Sequence, residues 1–542
     1  MAEFTTVPSI FTALARPGPE IGSVVVAVAI AAQLCAVGAA WPAETTVAGR
    51  RVVLEGTLSV REVIEENRST QHERTLEQLR VHTAVSFADW LRFDSTTLGA
   101  NGGPTMKADR AGVYAWDAVF QDMSPSVDFQ EAYFDVLLPS VDLRIGKQKV
   151  AWGKLDRTQP NDLINPATYF DPFLDDEDEL KLGVPALQAS YYLPDAPAVP
   201  AESRLTAVWV PRYLPYRFPL AECTVQGNTS LCNTERWFPP AAIPITNFPV
   251  PAGIITLPDG SPNPAFNVPL NYQVNNGLLP AWRMSNSEIG LRYSALVRDI
   301  DLALYYFHGF DVQPAFNLTA TVFGQPDPDP GNPLHVKDLS ADTVLSPKFH
   351  HIDSWGSDFA YALGSFTVRG EAAFVSGRPL PRDLRGLVTD PRPIAAEVVY
   401  ALAALARGAG QAPVALPPSY AVRSAMEWGL GADYVYDGYM LLLQVNQTDV
   451  LHNDVDLLIR NVDTRLLANL RKSFLSERLQ AQLVAVQGIE SGYTLLRPTL
   501  RYALTDHVAT QVGYLFISGS ANSLVGQYRR NGEGFVRVEY SI

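Results

Sequence analysis

The chain has 542 residues, with 42 Lys and Arg against 57 Asp and Glu for a formal charge of −15, and 47% of its residues are apolar. That apolar fraction excludes a disordered chain, and the acidic balance without a Lys/Arg run excludes nucleic-acid binding. Only one apolar stretch approaches the 20 or so residues that a membrane helix needs, which excludes a polytopic helical transporter.

That stretch is the first predicted element, Ile21 to Ala40, IGSVVVAVAIAAQLCAVGAA. It closes in small residues that suit a signal peptidase, so residues 1–40 are expected to be a secretory signal cut near Ala39 or Ala40. Its n-region has Arg16 as the only base, and a lone membrane anchor is the competing reading. Cys35 does not make a lipoprotein site, because Leu34 stands where a small residue is required. Of the three cysteines, Cys223 and Cys232 then remain, in ECTVQGNTSLC. An isolated pair in a polar loop of an exported chain is expected to form a local disulfide. A metal site would need further ligands nearby, and none are present.

From about Val52 the periodicity is two, in segments of about 9 to 13 residues. Strands are predicted near 52–64, 77–88, 90–99, 126–138, 140–150, 184–193, 203–213, 286–297, 299–310, 347–361, 365–376, 422–436, 438–449, 464–475, 478–488, 491–504, 507–518 and 531–542. Each pairs an apolar face with a polar one. Ala132, Phe134 and Val136 oppose Glu131, Tyr133 and Asp135; Leu496, Pro498, Leu500, Tyr502 and Leu504 oppose Arg497, Thr499 and Arg501.

Alternation alone also fits a soluble sandwich, and the connections decide. Very short turns (Pro139-Ser140, Arg298-Asp299, Gly364-Ser365, Asp437-Gly438, Ser476-Glu477, Thr505-Asp506) alternate with long loops near 151–183, 214–285, 311–346 and 377–421. The expected fold is therefore all-β: a transmembrane antiparallel β-barrel of 16 to 18 strands spanning residues 41–542, with short periplasmic turns and long extracellular loops. Tyr191-Tyr192, Tyr305-Tyr306-Phe307, Tyr434, Tyr436, Tyr439 and Tyr540 suit interfacial girdles. The end of the chain, FVRVEYSI, resembles the terminal strand of bacterial outer-membrane barrels, although those more often close in Phe than in Ile542.

Such a barrel is wide enough for an aqueous lumen. The inward candidates are Glu131, Asp135, Asp142, Arg144, Arg292, Arg369, Glu371, Arg423, Glu427, Arg465, Arg471, Arg497 and Arg501, either selecting solutes by charge or forming a salt-bridged wall that hydrates the lumen.

The most distinctive segment is Leu143 to Pro185, where a strand ends at Trp152-Gly153 and enters a loop with turn formers at Pro160-Asn161-Asp162 and Asn165-Pro166. Gly146, Lys147, Gln148, Trp152, Gly153, Asp156, Asn165 and Pro166 match a Gly-Lys/Arg-Gln…Trp-Gly…Asp pattern followed by Asp/Asn-Pro turns. On these positions the chain resembles a family of uncharacterised proteobacterial outer-membrane β-barrels, porin-like and similar in outline to alginate-export porins. The resemblance implies a passive channel narrowed by this loop, and it brings no substrate. Trp152, Asp156, Asp175, Asp176, Glu177, Asp178 and Glu179 are the constriction candidates. As a divalent-cation site the acidic run lacks the spacing of an EF-hand, so a solvated or salt-bridged run is the favoured reading; if the loop turns inward, the run is expected to favour cations, against the arginines of the late strands.

No catalytic residue, metal or cofactor is expected. No Gly-x-Ser-x-Gly elbow occurs, and His350-His351 would face opposite sides of a strand. The expected function is an outer-membrane porin-like channel for small polar or charged solutes in a Gram-negative cell. The alternatives are a barrel acting as a sleeve for an envelope or periplasmic partner and, further off, an outer-membrane hydrolase. Expected partners are outer-membrane lipid with lipopolysaccharide, a small hydrophilic solute and, as an open alternative, further copies of the chain.

Overall fold

The computed structural model describes residues 44–541 apart from 48–49, 66–72, 102–119, 122–125, 168–176, 217, 220–221, 227–228, 234–246, 258–259, 275–278, 385, 521–522 and 524. Eighteen antiparallel strands form one closed ring. They are β1 (Arg50–Glu65), β2 (Glu73–Ala88), β3 (Leu91–Asn101), β4 (Ser126–Leu137), β5 (Val141–Gln148), β6 (Val184–Tyr192), β7 (Ala201–Val210), β8 (Glu288–Val297) and β9 (Ile300–Phe310). The second half comprises β10 (His351–Leu363), β11 (Phe366–Pro381), β12 (Tyr420–Tyr436), β13 (Tyr439–Leu451), β14 (Val462–Phe474), β15 (Leu479–Gly488), β16 (Tyr493–Ala503), β17 (Val508–Gly519) and β18 (Glu533–Ser541). Closure is made by β18 pairing with β1, from Thr57↔Ser541 to Glu65↔Glu533. No strand of the ring is left at an edge, since each pairs with a neighbour on both sides. A short strand, Glu44–Val47, folds back on the start of β1.

These are the eighteen strands that the alternation predicts, with ends moved by a few residues. The tightest turns explain why the local sequence joins strands where it does. Arg298 and Asp299 have φ of 49° and 68°, and Asp437 and Gly438 have 46° and 71°. Both pairs are two-residue connections with positive φ throughout, the type I′ geometry whose twist matches that of paired strands.

The outer face is apolar. Leu304, Leu443 and Phe516 are 61%, 52% and 50% exposed, alongside Leu187, Leu205, Leu291, Leu466, Leu483 and Leu500. Among the described residues no helix is long and apolar enough to cross a membrane; the strands make the crossing, with this belt toward hydrocarbon. Near the short turns the Phe366 and Tyr434 rings lie 4.6 Å apart, tilted by 34°. There the Lys472 ammonium sits 3.6 Å from the Tyr439 ring centre and donates to the Asp437 carbonyl at 2.5 Å, an aromatic and snorkelling-lysine border. A charge inside the belt is expensive, so Leu443→Arg is expected to lower barrel stability by about 2–4 kcal/mol, read as a shift of the urea midpoint in micelles; an unchanged midpoint would place this face in water.

The long loops are more ordered than the sequence pattern implies. Five strands form a second sheet in the order Asn247–Val250, Phe266–Val274, Val336–Lys348, Ala315–Pro326 and Gln411–Val414. A helix, Ala395–Ala406, packs on this sheet through Ala401, Leu402 and Leu405, which join Val322, Val336 and Val414 in one buried cluster. The long loop over 377–421 contains this helix because AAEVVYALAALA is rich in helix formers, and its small buried face finds the sheet. The same sheet recruits residues 336–348, which is why β10 begins at His351 rather than near 347. Cys223 and Cys232 are cross-strand partners in a hairpin of Glu222–Gln226 with Thr229–Asn233.

Candidate functional site in the barrel lumen

Side chains opposite the exposed belt point into the ring, and all thirteen charged candidates are on that lumen-facing set. Most are engaged with neighbours. Arg144 is bidentate to Asp135, at 2.7 and 3.0 Å, and lies 4.0 Å from the Tyr133 ring centre. Glu131 accepts from the Lys149 amide at 2.9 Å, and Asp142 accepts from the Tyr192 hydroxyl at 2.5 Å. Arg292 donates to the Tyr305 hydroxyl at 3.2 Å. Glu427 pairs with Arg378, which also reaches Asp311 at 3.1 Å, and Arg423 pairs with Asp454. Arg465 meets Asp463 at 3.3 Å and Arg501 meets Glu539 at 3.3 Å. Arg497 is 4% exposed, whereas Arg471 is open to the lumen.

The connection from β5 to β6, residues 149–183, turns inward. Trp152 and Leu155 are 4% and 2% exposed. Trp152, Leu163 and Ile164 share a buried cluster with lumen-facing Val184, Val208, Ala303, Tyr305, Phe307 and Val375. This arc of wall is apolar on its inner face because it receives a loop, not water. Burying each large side chain contributes about 1.5–3 kcal/mol.

Three wall glycines make the notches. A Cβ at Gly290 would lie 2.5 Å from the Trp152 ring, one at Gly356 would lie 1.7 Å from Asn161 Oδ1, and one at Gly429 would lie 2.5 Å from Leu155 Cδ1. Polar bonds fix the register. The Glu371 carboxylate accepts from the Lys154 amide, from the Leu155 amide at 2.6 Å and from Asn161 Nδ2 at 3.4 Å. Gly153, with φ of 96°, lets the chain approach that carboxylate, since a Cβ there would sit 2.6 Å from it. Lys154 Nζ bridges Asp301 and Asp358, both at 3.0 Å. Arg369 donates to the Lys154 carbonyl at 2.7 Å and pairs with Asp433 and, at 3.3 Å, with Asp156. Gln444 exchanges two bonds with the Asp156 backbone, at 3.0 and 2.8 Å, and Asn446 donates to the Thr158 carbonyl at 3.2 Å. The outgoing limb of the loop is thus bound to β8 through β13.

The returning limb contains a four-residue helix, Glu177–Leu180. Glu179 reaches Arg537 on β18 at 3.1 Å, Arg80 on β2 at 3.4 Å and Arg61 on β1 at 3.7 Å. Burial alone would raise the Glu179 carboxyl, but Arg537, Arg61 and Arg80 outweigh it and hold the group below its ordinary value. These ion pairs are therefore complete at neutral pH and are lost only as pH falls through the lowered value. Asp175 and Asp176 lie outside the described residues, and of Glu177 and Asp178 the structure describes the backbone helix. Of the acidic run, Glu179 is paired with three arginines.

Several site residues carry no sequence signal as single positions: Arg61, Arg80, Lys154, Asp358, Gln444, Asn446 and Arg537. The one signal available was glycine on the inward phase, as in Gly429 and Gly431, where a strand built to face water has no reason to give up side chains.

No protein-family model matches the sequence, and no curated protein does. Solved structures do resemble the fold. Acinetobacter baumannii OccAB1 aligns over 92% of this chain and 98% of its own at 7% identity, with a TM-score of 0.43. Pseudomonas aeruginosa OccK8 (OprE) aligns over 91% and 98% at 9% identity and 0.42. Salmonella typhi OmpF, in a complex with daunomycin, aligns over 92% and 100% at 10% identity and 0.37. These are outer-membrane porins. Likenesses at this level concern the outline of the barrel and assign no solute, and they give no link to alginate-export porins.

Proposed function

We propose that this protein is an outer-membrane porin-like channel of a Gram-negative bacterium, passing small polar or charged solutes passively. The observation that carries this reading is the division of labour inside the ring. The loop from β5 to β6 fills the apolar arc, while the inner face of β14 to β17 keeps Arg465, Asn469, Arg471, Gln482, Arg497, Thr499, Arg501 and Gln511. Eighteen strands enclose more space than their own side chains fill, and a polar wall opposite a docked loop hydrates the part left over. On this arc Arg465 and Arg501 are paired with Asp463 and Glu539 while Arg471 is open to the lumen, so the exposed wall charge is cationic and the lumen favours anions. Glu179, already paired, does not reverse that preference.

The test is planar-bilayer recording of the refolded protein. Stable conductance steps are expected, with a reversal potential in a salt gradient on the anion side and a shift toward cations in Arg471→Gln. Silence from protein that migrates as a folded, heat-modifiable barrel would overturn the channel reading.

A further inference from the structure

We infer that Arg61, Arg80 and Arg537 form a carboxylate-binding site of the lumen, that Glu179 is its tethered occupant, and that a dicarboxylate solute competes with Glu179 for it. Three guanidinium groups from three neighbouring strands converge on one carboxylate, two of them on the same oxygen. The Arg61 and Arg537 side chains are only 4% and 13% exposed. Cations desolvated to that degree are held together by an anion seated between them, and guanidinium forks suit a carboxylate in particular. The site continues sideways. Arg537 also meets Glu539 at 2.9 Å, and Glu539 takes Arg501 at 3.3 Å. Arg501, Gln511, Arg537 and Arg61 are successive register partners across β16, β17, β18 and β1. A solute with two carboxylates can therefore replace Glu179 with one group and address Arg501, which is 45% exposed, with the other.

The occupant is the weaker half of the arrangement. Glu179 belongs to a helix of four residues, whereas its receptor is built into the barrel wall. A short tether gives such a group an effective concentration on the order of 1 mM. A monocarboxylate loses that competition, and a dicarboxylate with two points of contact wins it in the millimolar range. The solute class rests on the channel reading; the site itself does not.

The test measures binding of radiolabelled succinate to the full-length protein in detergent by equilibrium dialysis, with acetate as the single-carboxylate probe. Glu179→Gln is expected to bind succinate about tenfold more tightly than the wild type, because the tethered competitor is gone. Adding Arg80→Gln or Arg537→Gln to that variant is expected to abolish the gain. Heat-modifiable gel mobility checks folding, and Arg80, the most exposed of the three, carries the test if the Arg537 variant does not fold. Equal succinate affinity in wild type and Glu179→Gln, or a gain that survives loss of Arg80, would overturn the proposal. Dialysis reads binding and not passage, so a silent bilayer would remove the channel and leave the site, while unchanged dialysis would do the reverse.

Discussion

Gly356→Val is expected to drive the inward loop off the wall and raise single-channel conductance, with the barrel still folded. Valine suits a strand by its own preference, so the penalty falls on what faces it. A Cβ at this position would stand 1.7 Å from Asn161 Oδ1, and Asn161 is itself fixed by its bond to the Ser357 carbonyl at 3.1 Å. Overpacking of this kind costs about 1–3 kcal/mol, which shifts the docked fraction of the loop by roughly one to two orders of magnitude. The double variant Gly356→Ala with Asn161→Ala removes the obstacle and is expected to restore most of the wild-type conductance. Equal conductance in wild type and Gly356→Val would mean that this part of the loop does not narrow the path.

Glu371→Ala should loosen the same loop by a different route. The carboxylate takes three donors from residues more than two hundred positions earlier in the chain. Truncation leaves the Leu155 amide buried without its acceptor, and each such orphan costs about 1–3 kcal/mol. A combined loss of about 3 kcal/mol corresponds to roughly a hundredfold faster opening of the docked state. Hydrogen exchange at the Lys154 and Leu155 amides reads it directly. Glu371→Gln retains one acceptor oxygen and is expected to fall between the two. Protection that is unchanged in Glu371→Ala would assign the docking energy to Trp152 and its apolar neighbours instead.

The barrel was legible because its causes are local. Period-two alternation and positive-φ turn residues are properties of ten-residue windows, and each window votes independently for the same architecture. The inward loop was legible in outline through its Trp-Gly and Asn-Pro landmarks. Its docking partners were not, since Glu371, Gln444 and Gly429 are brought to it by closure of the ring and not by spacing along the chain. The partners of Glu179 were not legible for the same reason: Arg61, Arg80 and Arg537 come from the first, second and last strands, and only the seam between β18 and β1 gathers them around it. The helix Ala395–Ala406 lies inside a long loop, where an Ala- and Leu-rich stretch carries no period-two alternation.

The second sheet, at the long-loop end, has a bearing on how the molecule is assembled. Its central pair, Phe266–Val274 with Val336–Lys348, is parallel, and its edge strand, Gln411–Val414, comes from a third connection. Asn247–Val250 with Phe266–Val274 and Ala315–Pro326 with Val336–Lys348 can form as local antiparallel pairs, but the parallel pairing and the pairing to Gln411–Val414 join segments whose separation is bridged by β8 to β11. The joining of these pairs into one sheet must therefore come late on the folding route, once those four strands are already in register, because the entropy of closing such long loops is recovered only when the intervening chain is ordered.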